Sequence, residues 1–156
     1  MAQLPRGVSP IYLDTSAWVK IYMLDENAEP VATVMREASA RYTHLIAWAE
    51  MRAALATAER MGRFSEFGKR NAVATAERDW ADFQIVDATE QIIRRAGDLA
   101  DRFGLRGYDS VHLAAAEAIS LLLMPERLHF VCFDDRLNDA ANALGLVVGS
   151  VSGNAE

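Results

Sequence analysis

Pro10-Ile11-Tyr12-Leu13-Asp14-Thr15-Ser16-Ala17-Trp18 is the stretch from which the fold class is read. Its first half is a short apolar run closed by an acid, the pattern of a buried strand. Thr15 and Ser16 are helix-starting residues, and Ala17, Trp18, Ile21 and Tyr22 follow at helical spacing. The same passage from strand to helix recurs along the chain. Tyr42 to Ile46 reads as a strand and Ala47 to Met61 as a helix with Trp48, Met51, Leu55 and Ala58 along one side. Gln84 to Val86 reads as a strand, and Thr89 to Phe103 as a helix closed by Gly104. Leu128 to Phe133 is a strand, Leu137 to Leu144 a helix stopped by Gly145, and Leu146 to Val148 a last strand. Three further helices are expected: 28–40 with Pro30 in its first turn, 63–81 after the break at Gly62, and 108–123, stopped by Pro125. The last is apolar nearly all round and is expected to be buried.

Short apolar strands alternating with helices define an α/β protein: a three-layer α/β/α arrangement around a short central parallel sheet. Right-handed crossovers bring all strand C-termini to one edge, where ligands of such sheets bind. The expected unit is a single domain over 10–148, with 1–9 and 149–156 as loose ends.

Four acids fall near that edge. Asp14 closes the first strand, and Asp134 follows the Leu128–Phe133 strand. Glu50 lies in the first turn expected after the Tyr42–Ile46 strand, and Asp109 in the first turn of the apolar helix. Asp109 reaches the edge only if its helix packs on the sheet. Any one of these acids could simply cap a helix or complement its dipole. For the set, that explanation is weaker. Thr15 or Ser16 could cap the first helix without Asp14. Asp109 and Glu50 have small or apolar neighbours, where an unpaired carboxylate costs several kcal/mol (order of magnitude). Clustered carboxylates repel, and a hard divalent cation, Mg²⁺ or Mn²⁺, is the ion that an all-oxygen donor set selects. The chemistry that fits is phosphodiester hydrolysis by a metal-activated water.

Taken together, Leu13-Asp14-Thr15-Ser16-Ala17, Ala49-Glu50-Met51, Tyr108-Asp109-Ser110-Val111-His112-Leu113-Ala114 and Phe133-Asp134-Asp135-Arg136-Leu137 resemble the signature of the PIN-domain family. The similarity is strongest to the VapC-type toxins of bacterial toxin–antitoxin pairs and spans roughly 11–148, in order. The resemblance implies a Mg²⁺- or Mn²⁺-dependent endoribonuclease, a cognate antitoxin that occupies its active site, and homodimerisation. It implies Asp14, Glu50, Asp109 and Asp134 as the catalytic and metal-binding quartet, with Asp14 and Asp109 as direct ligands. Thr15 or Ser16 would orient a carboxylate or a phosphate. Many relatives carry Thr or Ser two residues before the fourth acid, where this chain has Cys132, which leaves the support of Asp134 open. Asp135 leaves open which acid of that pair points inward.

The totals set limits. The net charge of −6 and pI near 5.1 argue, taken alone, against a polyanion partner. Assigning four of the acids to one cation-binding pocket removes that objection, and affinity for RNA must then come from local arginines. Arg60, Arg63, Lys69 and Arg70 could grip a backbone or form a solvated helix face, and Arg102 and Arg106 could reach phosphate near Asp109. One cysteine excludes an internal disulfide framework, and no apolar run approaches the length that spans a bilayer. A cytoplasmic protein without membrane partners is expected. Trp18, Trp48 and Trp80 could serve a core or an interface. A phospho-receiver domain needs a late lysine, and none follows Lys69. A dehalogenase-type phosphatase needs an acid at position 16, which is Ser16. His44, His112, His129 and Cys132 have zinc-ligand chemistry but no zinc-motif spacing. The remaining alternative is a non-catalytic interaction module of the same fold.

Overall fold

A computed structural model describes residues 9–149. Five parallel strands form one sheet: β1 (Ile11–Leu13), β2 (Arg41–His44), β3 (Gln84–Val86), β4 (His129–Val131) and β5 (Val147–Gly149), in the order β3-β2-β1-β4-β5. The helices are α1 (Thr15–Trp18), continued by a 3₁₀ turn Val19–Tyr22, then α2 (Ala28–Glu37), α3 (Ile46–Arg60), α4 (Glu66–Trp80), α5 (Glu90–Phe103), α6 (Gly107–Leu123) and α7 (Asp135–Ala143). No helix among the described residues is long and apolar enough to cross a membrane.

β1 is apolar along its whole length because both sheet faces are covered, while β2 and β4 also bury the polar Thr43, His44 and His129. Successive side chains alternate between two cores. On β1, Tyr12 joins Leu99, Leu113, Phe130 and Leu137 beneath α5, α6 and α7. Ile11 and Leu13 join Trp18, Met51, Leu55 and Phe83 on the opposite face, beneath α1 to α4. Trp18 is fully buried against Trp48, Trp80 and Phe83 and serves the core, while Trp48 and Trp80 are partly buried at its edge. Ser65 and Thr89 cap α4 and α5, accepting from the Gly68 and Ile92 amides. Gly104 ends α5 in the left-handed conformation (φ +64°), which a residue with a side chain adopts only with strain.

Two differences from the sequence reading matter. The helix 107–123 is buried only in its first half, from Ser110 to Ala116, while Leu121 and Leu122 are exposed. An apolar surface all round does not say which half meets the sheet. At the chain ends, the Ser9 carbonyl accepts the Ser39 amide, and Gly149 closes β5. The other residues expected to be loose, 1–8 and 150–156, lie outside the described residues.

Sheet order carries the function. The chain leaves β1 for β2 and β3 on one side and returns to β4 and β5 on the other. The order reverses between β1 and β4, and such a reversal opens a crevice at the strand C-termini. β1 ends at Leu13, directly before Asp14, and β4 ends at Val131, three residues before Asp134.

Candidate active site

Asp14 stands in that crevice, 4% exposed. It is also the N-cap of α1, so neither Thr15 nor Ser16, which could have capped the helix without it, takes that place. Its Oδ1 accepts from the Ala17 amide (3.2 Å) and the Ser16 hydroxyl (2.7 Å), and its Oδ2 accepts from the Cys132 thiol (3.3 Å). Burial holds the Asp14 pKa above the ordinary carboxylate range. The nearby His112, Ser16, Cys132 and the Ala17 amide pull the other way without cancelling it.

Ser16 and Cys132 tie the ends of β1 and β4 together. The Ser16 oxygen accepts the Phe133 amide (3.0 Å), and the Cys132 sulfur accepts the Asp134 amide (3.2 Å). Cys132 therefore spans both acids, donating to Asp14 and holding the backbone of Asp134. Its thiol is driven upward by burial and then by the Asp14 charge, so it stays protonated and remains a donor.

Glu50 projects from α3, which starts one residue earlier than the sequence suggests. Glu50 consequently lies in the second turn and caps nothing. Its Oε1 accepts from the Thr15 hydroxyl (2.9 Å) and sits 2.7 Å from His112 Nε2. Burial raises its pKa, but the hydrogen bond and charge of His112, with Thr15, outweigh that, and Glu50 lies below its ordinary value.

Asp109 and Asp134 meet at Arg106. α6 packs on β2, which meets the condition on which Asp109 reaches the edge. Its carboxylate accepts from Arg106 Nε at 2.8 Å, and Arg106 Nη2 lies 3.7 Å from Asp134. Asp134 caps α7 through the Leu137 amide (3.0 Å). Asp135 is one residue further, exposed, on α7. Of this pair, Asp134 is the acid beside Arg106 and Asp109.

As they stand, no three His, Cys, Asp or Glu side chains among the described residues converge tightly enough to enclose an ion. The Arg106 guanidinium instead lies against Asp109 and Asp134 as a counter-charge. The pattern of committed oxygens nevertheless suits a hard cation. Glu50 Oε2 and Asp109 Oδ1 have no hydrogen-bond partner among the described residues, and Asp14 Oδ2 accepts only a thiol. Each acid keeps acceptor capacity on an otherwise acid-only donor set.

Sequence reasoning passed over His112, weighing it only as a zinc ligand. His44 lies beside it (ring centroids 6.3 Å), but neither belongs to a metal-binding group of three. Arg102 stacks over Phe103, and of the two arginines it is Arg106 that lies beside Asp109 and Asp134. Lys69 and Arg70 pair with Glu59 and Glu66, and Arg60 bonds Thr57, which makes this run a solvated helix face. An apolar groove of about 740 Å³ adjoins the site, bordered by His44, Trp48, Trp80, Ile93 and Tyr108, and holds none of the four acids.

A parallel sheet with carboxylates gathered at its switch crevice defines a class of α/β domains, and the family model for the PIN domain matches residues 11–143. The chain belongs to the PIN-domain family. It is 34% identical over 139 residues to "Ribonuclease VapC49" of Mycobacterium tuberculosis (strain ATCC 25618 / H37Rv), covering 86% of this chain and 91% of that protein. The crystal structure of FitAcB from Neisseria gonorrhoeae aligns with a TM-score of 0.67 at 19% identity, over 90% of this chain and 97% of that one. A toxin-antitoxin complex from Klebsiella pneumoniae aligns with a TM-score of 0.53 at 18% identity, over 80% and 86%. At these identities the two structures speak to the fold.

Proposed function

We propose that the chain is a divalent-metal-dependent endoribonuclease, the toxin of a toxin–antitoxin pair, built as a single domain over 10–148. The observation that carries this reading is the placement of four carboxylates, from four separate elements, around the strand C-termini: Asp14 and Glu50 are held by side-chain hydrogen bonds, and Asp109 and Asp134 share Arg106. The relative named a ribonuclease and the neighbour named a toxin-antitoxin complex support the activity and the partner. RNA is the substrate, a cognate antitoxin the inhibitor, a homodimer the assembly, and the cytoplasm the compartment.

Asp14, Glu50, Asp109 and Asp134 would hold Mg²⁺ or Mn²⁺. Bound there, the cation supplies a water of lowered pKa and offsets negative charge at the scissile phosphodiester. Asp14 and Glu50 form the fixed wall of the site. Arg106, largely exposed, turns from Asp109 and Asp134 toward a phosphate oxygen when substrate arrives.

The test is cleavage of a mixed RNA pool by the purified protein with Mg²⁺ or Mn²⁺, with chelator, and by Asp109→Asn. The expected result is cleavage only with metal, reduced about 100-fold or more in the variant. Cleavage indifferent to chelator overturns the metal assignment. A folded, metal-loaded protein that leaves RNA intact favours the non-catalytic interaction module.

A further inference from the structure

His112 is 1% exposed, enclosed by β1, α1 and α3, and no step above uses it. Its two ring nitrogens meet groups from different elements. Nδ1 lies 2.9 Å from the Tyr12 hydroxyl, while Nε2 lies 2.7 Å from Glu50 Oε1 and 3.2 Å from Thr15 Oγ1. These partners determine the hydrogen positions. An ionised carboxylate only accepts, so Nε2 carries the hydrogen and donates to Glu50. In the neutral ring Nδ1 is then an acceptor, and the Tyr12 O–H donates to it. Thr15 donates to the same Glu50 oxygen.

The result is a directed chain of hydrogen bonds from Tyr12 on β1, through His112 on α6, to Glu50 on α3. Two rings clamp the imidazole edge-on: Tyr12 at 5.9 Å and 76°, and His44 at 6.3 Å and 77°. Glu50 has three side-chain torsions and is 26% exposed, so it has room to swing toward solvent. Two donors on Oε1 remove that freedom and leave Oε2 as the oxygen with no partner among the described residues.

We infer that His112, oriented by Tyr12, is a positioning residue that pins one oxygen of Glu50 so that the other faces the four-acid cluster. The inference rests on the proposed nuclease reading, because it assumes that Glu50 serves the cation. It assigns to Tyr12 and His112 a role in metal affinity although neither is a metal ligand. Outer-shell partners of this kind typically alter metal affinity by 10–100-fold when removed.

The test is Mn²⁺ titration of the full chain, without RNA, followed by calorimetry or by the metal-induced thermal shift. His112→Leu removes the donor and is expected to weaken Mn²⁺ binding about tenfold or more. His112→Gln places an amide N–H near the position of Nε2 and is expected to recover affinity to within about threefold of the parent. Tyr12→Phe frees the ring from its orienting bond and is expected to weaken binding about threefold. In a Glu50→Gln background, His112→Leu is expected to add no further loss, which a merely structural histidine would not satisfy. A folded His112→Leu with parental Mn²⁺ affinity overturns the inference, as does an equal loss in both backgrounds. Should His112→Leu not fold, Tyr12→Phe decides, and unchanged affinity there overturns it. A parent that binds no Mn²⁺ and cuts no RNA overturns the nuclease reading as well. A parent that does both, beside an unaffected His112→Leu, overturns only the positioning role.

Discussion

Asp14 and Glu50 form the inner half of the acid cluster, and Asp109 and Asp134 the outer half. The inner pair are held by Ser16, Cys132, Thr15 and His112, side chains drawn from α1, α6 and the end of β4. The outer pair are held by one flexible arginine that is itself 80% exposed, and by the cap of α7. The difference lies in where the charge is compensated. Inside, hydrogen-bond donors are fixed in place by folding, so little reorganisation remains when a cation arrives. Outside, a mobile counter-ion compensates the charge and can be exchanged for another cation or for phosphate. Asp14, the one fully buried carboxylate of the four, therefore carries a standing electrostatic cost that the part-exposed three do not.

The sharpest way to break the inner half is Asp14→Asn. Metal-dependent RNA cleavage is expected to fall about 1000-fold, the scale of losing a preorganised charge at the reacting centre. Stability in chelator should move the other way. Burial raises the Asp14 pKa, so its contribution to stability is complete below the ordinary carboxylate range near pH 4 and is lost as pH rises through the folded value. The variant is thus expected to melt about 2–5 °C above the parent at pH 7, with the gap closing on acidification. Melting curves from pH 3 to 8 check this, and a gap independent of pH would sink the account of Asp14.

Cys132 tests the inner half more gently. Cys132→Ser keeps a donor near Asp14 Oδ2 and is expected to retain cleavage within about threefold. Cys132→Val removes it and is expected to lose about five- to tenfold, on the scale of one hydrogen bond. Comparing initial rates of the two variants separates donation from packing. The outer half should respond least. Arg106→Gln removes the competing guanidinium and is expected to tighten Mn²⁺ binding about two- to threefold in the absence of RNA, as befits an exposed ion pair. With RNA present the same variant should lower the salt dependence of binding by about 0.7 in log–log slope, one phosphate contact. A loss of metal affinity in Arg106→Gln would erase the distinction between the two halves.

Most of the fold was legible because its signals are local. Thr89 and Gly104 bound α5, Gly145 follows α7, and β1 is a continuous apolar run. Three of the four acids were legible as residues near strand-to-helix junctions, and Asp109 as an acid in the first turn of an apolar helix. Their partners were not. Glu50 and His112 are 62 residues apart, and Asp14 and Cys132 are 118 apart. From the sequence His112 offered only zinc-ligand chemistry, and Cys132 only a departure beside Asp134, because both act on residues contributed by distant elements. The expected embedding of Asp109 among apolar neighbours also gave way. α6 leaves its carboxylate 19% exposed and paired to Arg106, and it is Asp14 whose ionisation burial opposes.

The sequence by itself determined the alternation of strand and helix and which acids stand where one passes into the next. Those properties depend on periodicity, caps and breakers within a few residues. Only the tertiary structure decided which oxygen of each acid is committed, which acid of the Asp134-Asp135 pair joins the cluster, and which arginine spans its rim. Hydrogen bonds require atoms within about 3 Å. That proximity arises when parallel pairing sets β1 between β2 and β4, a register that no local stretch of the chain encodes.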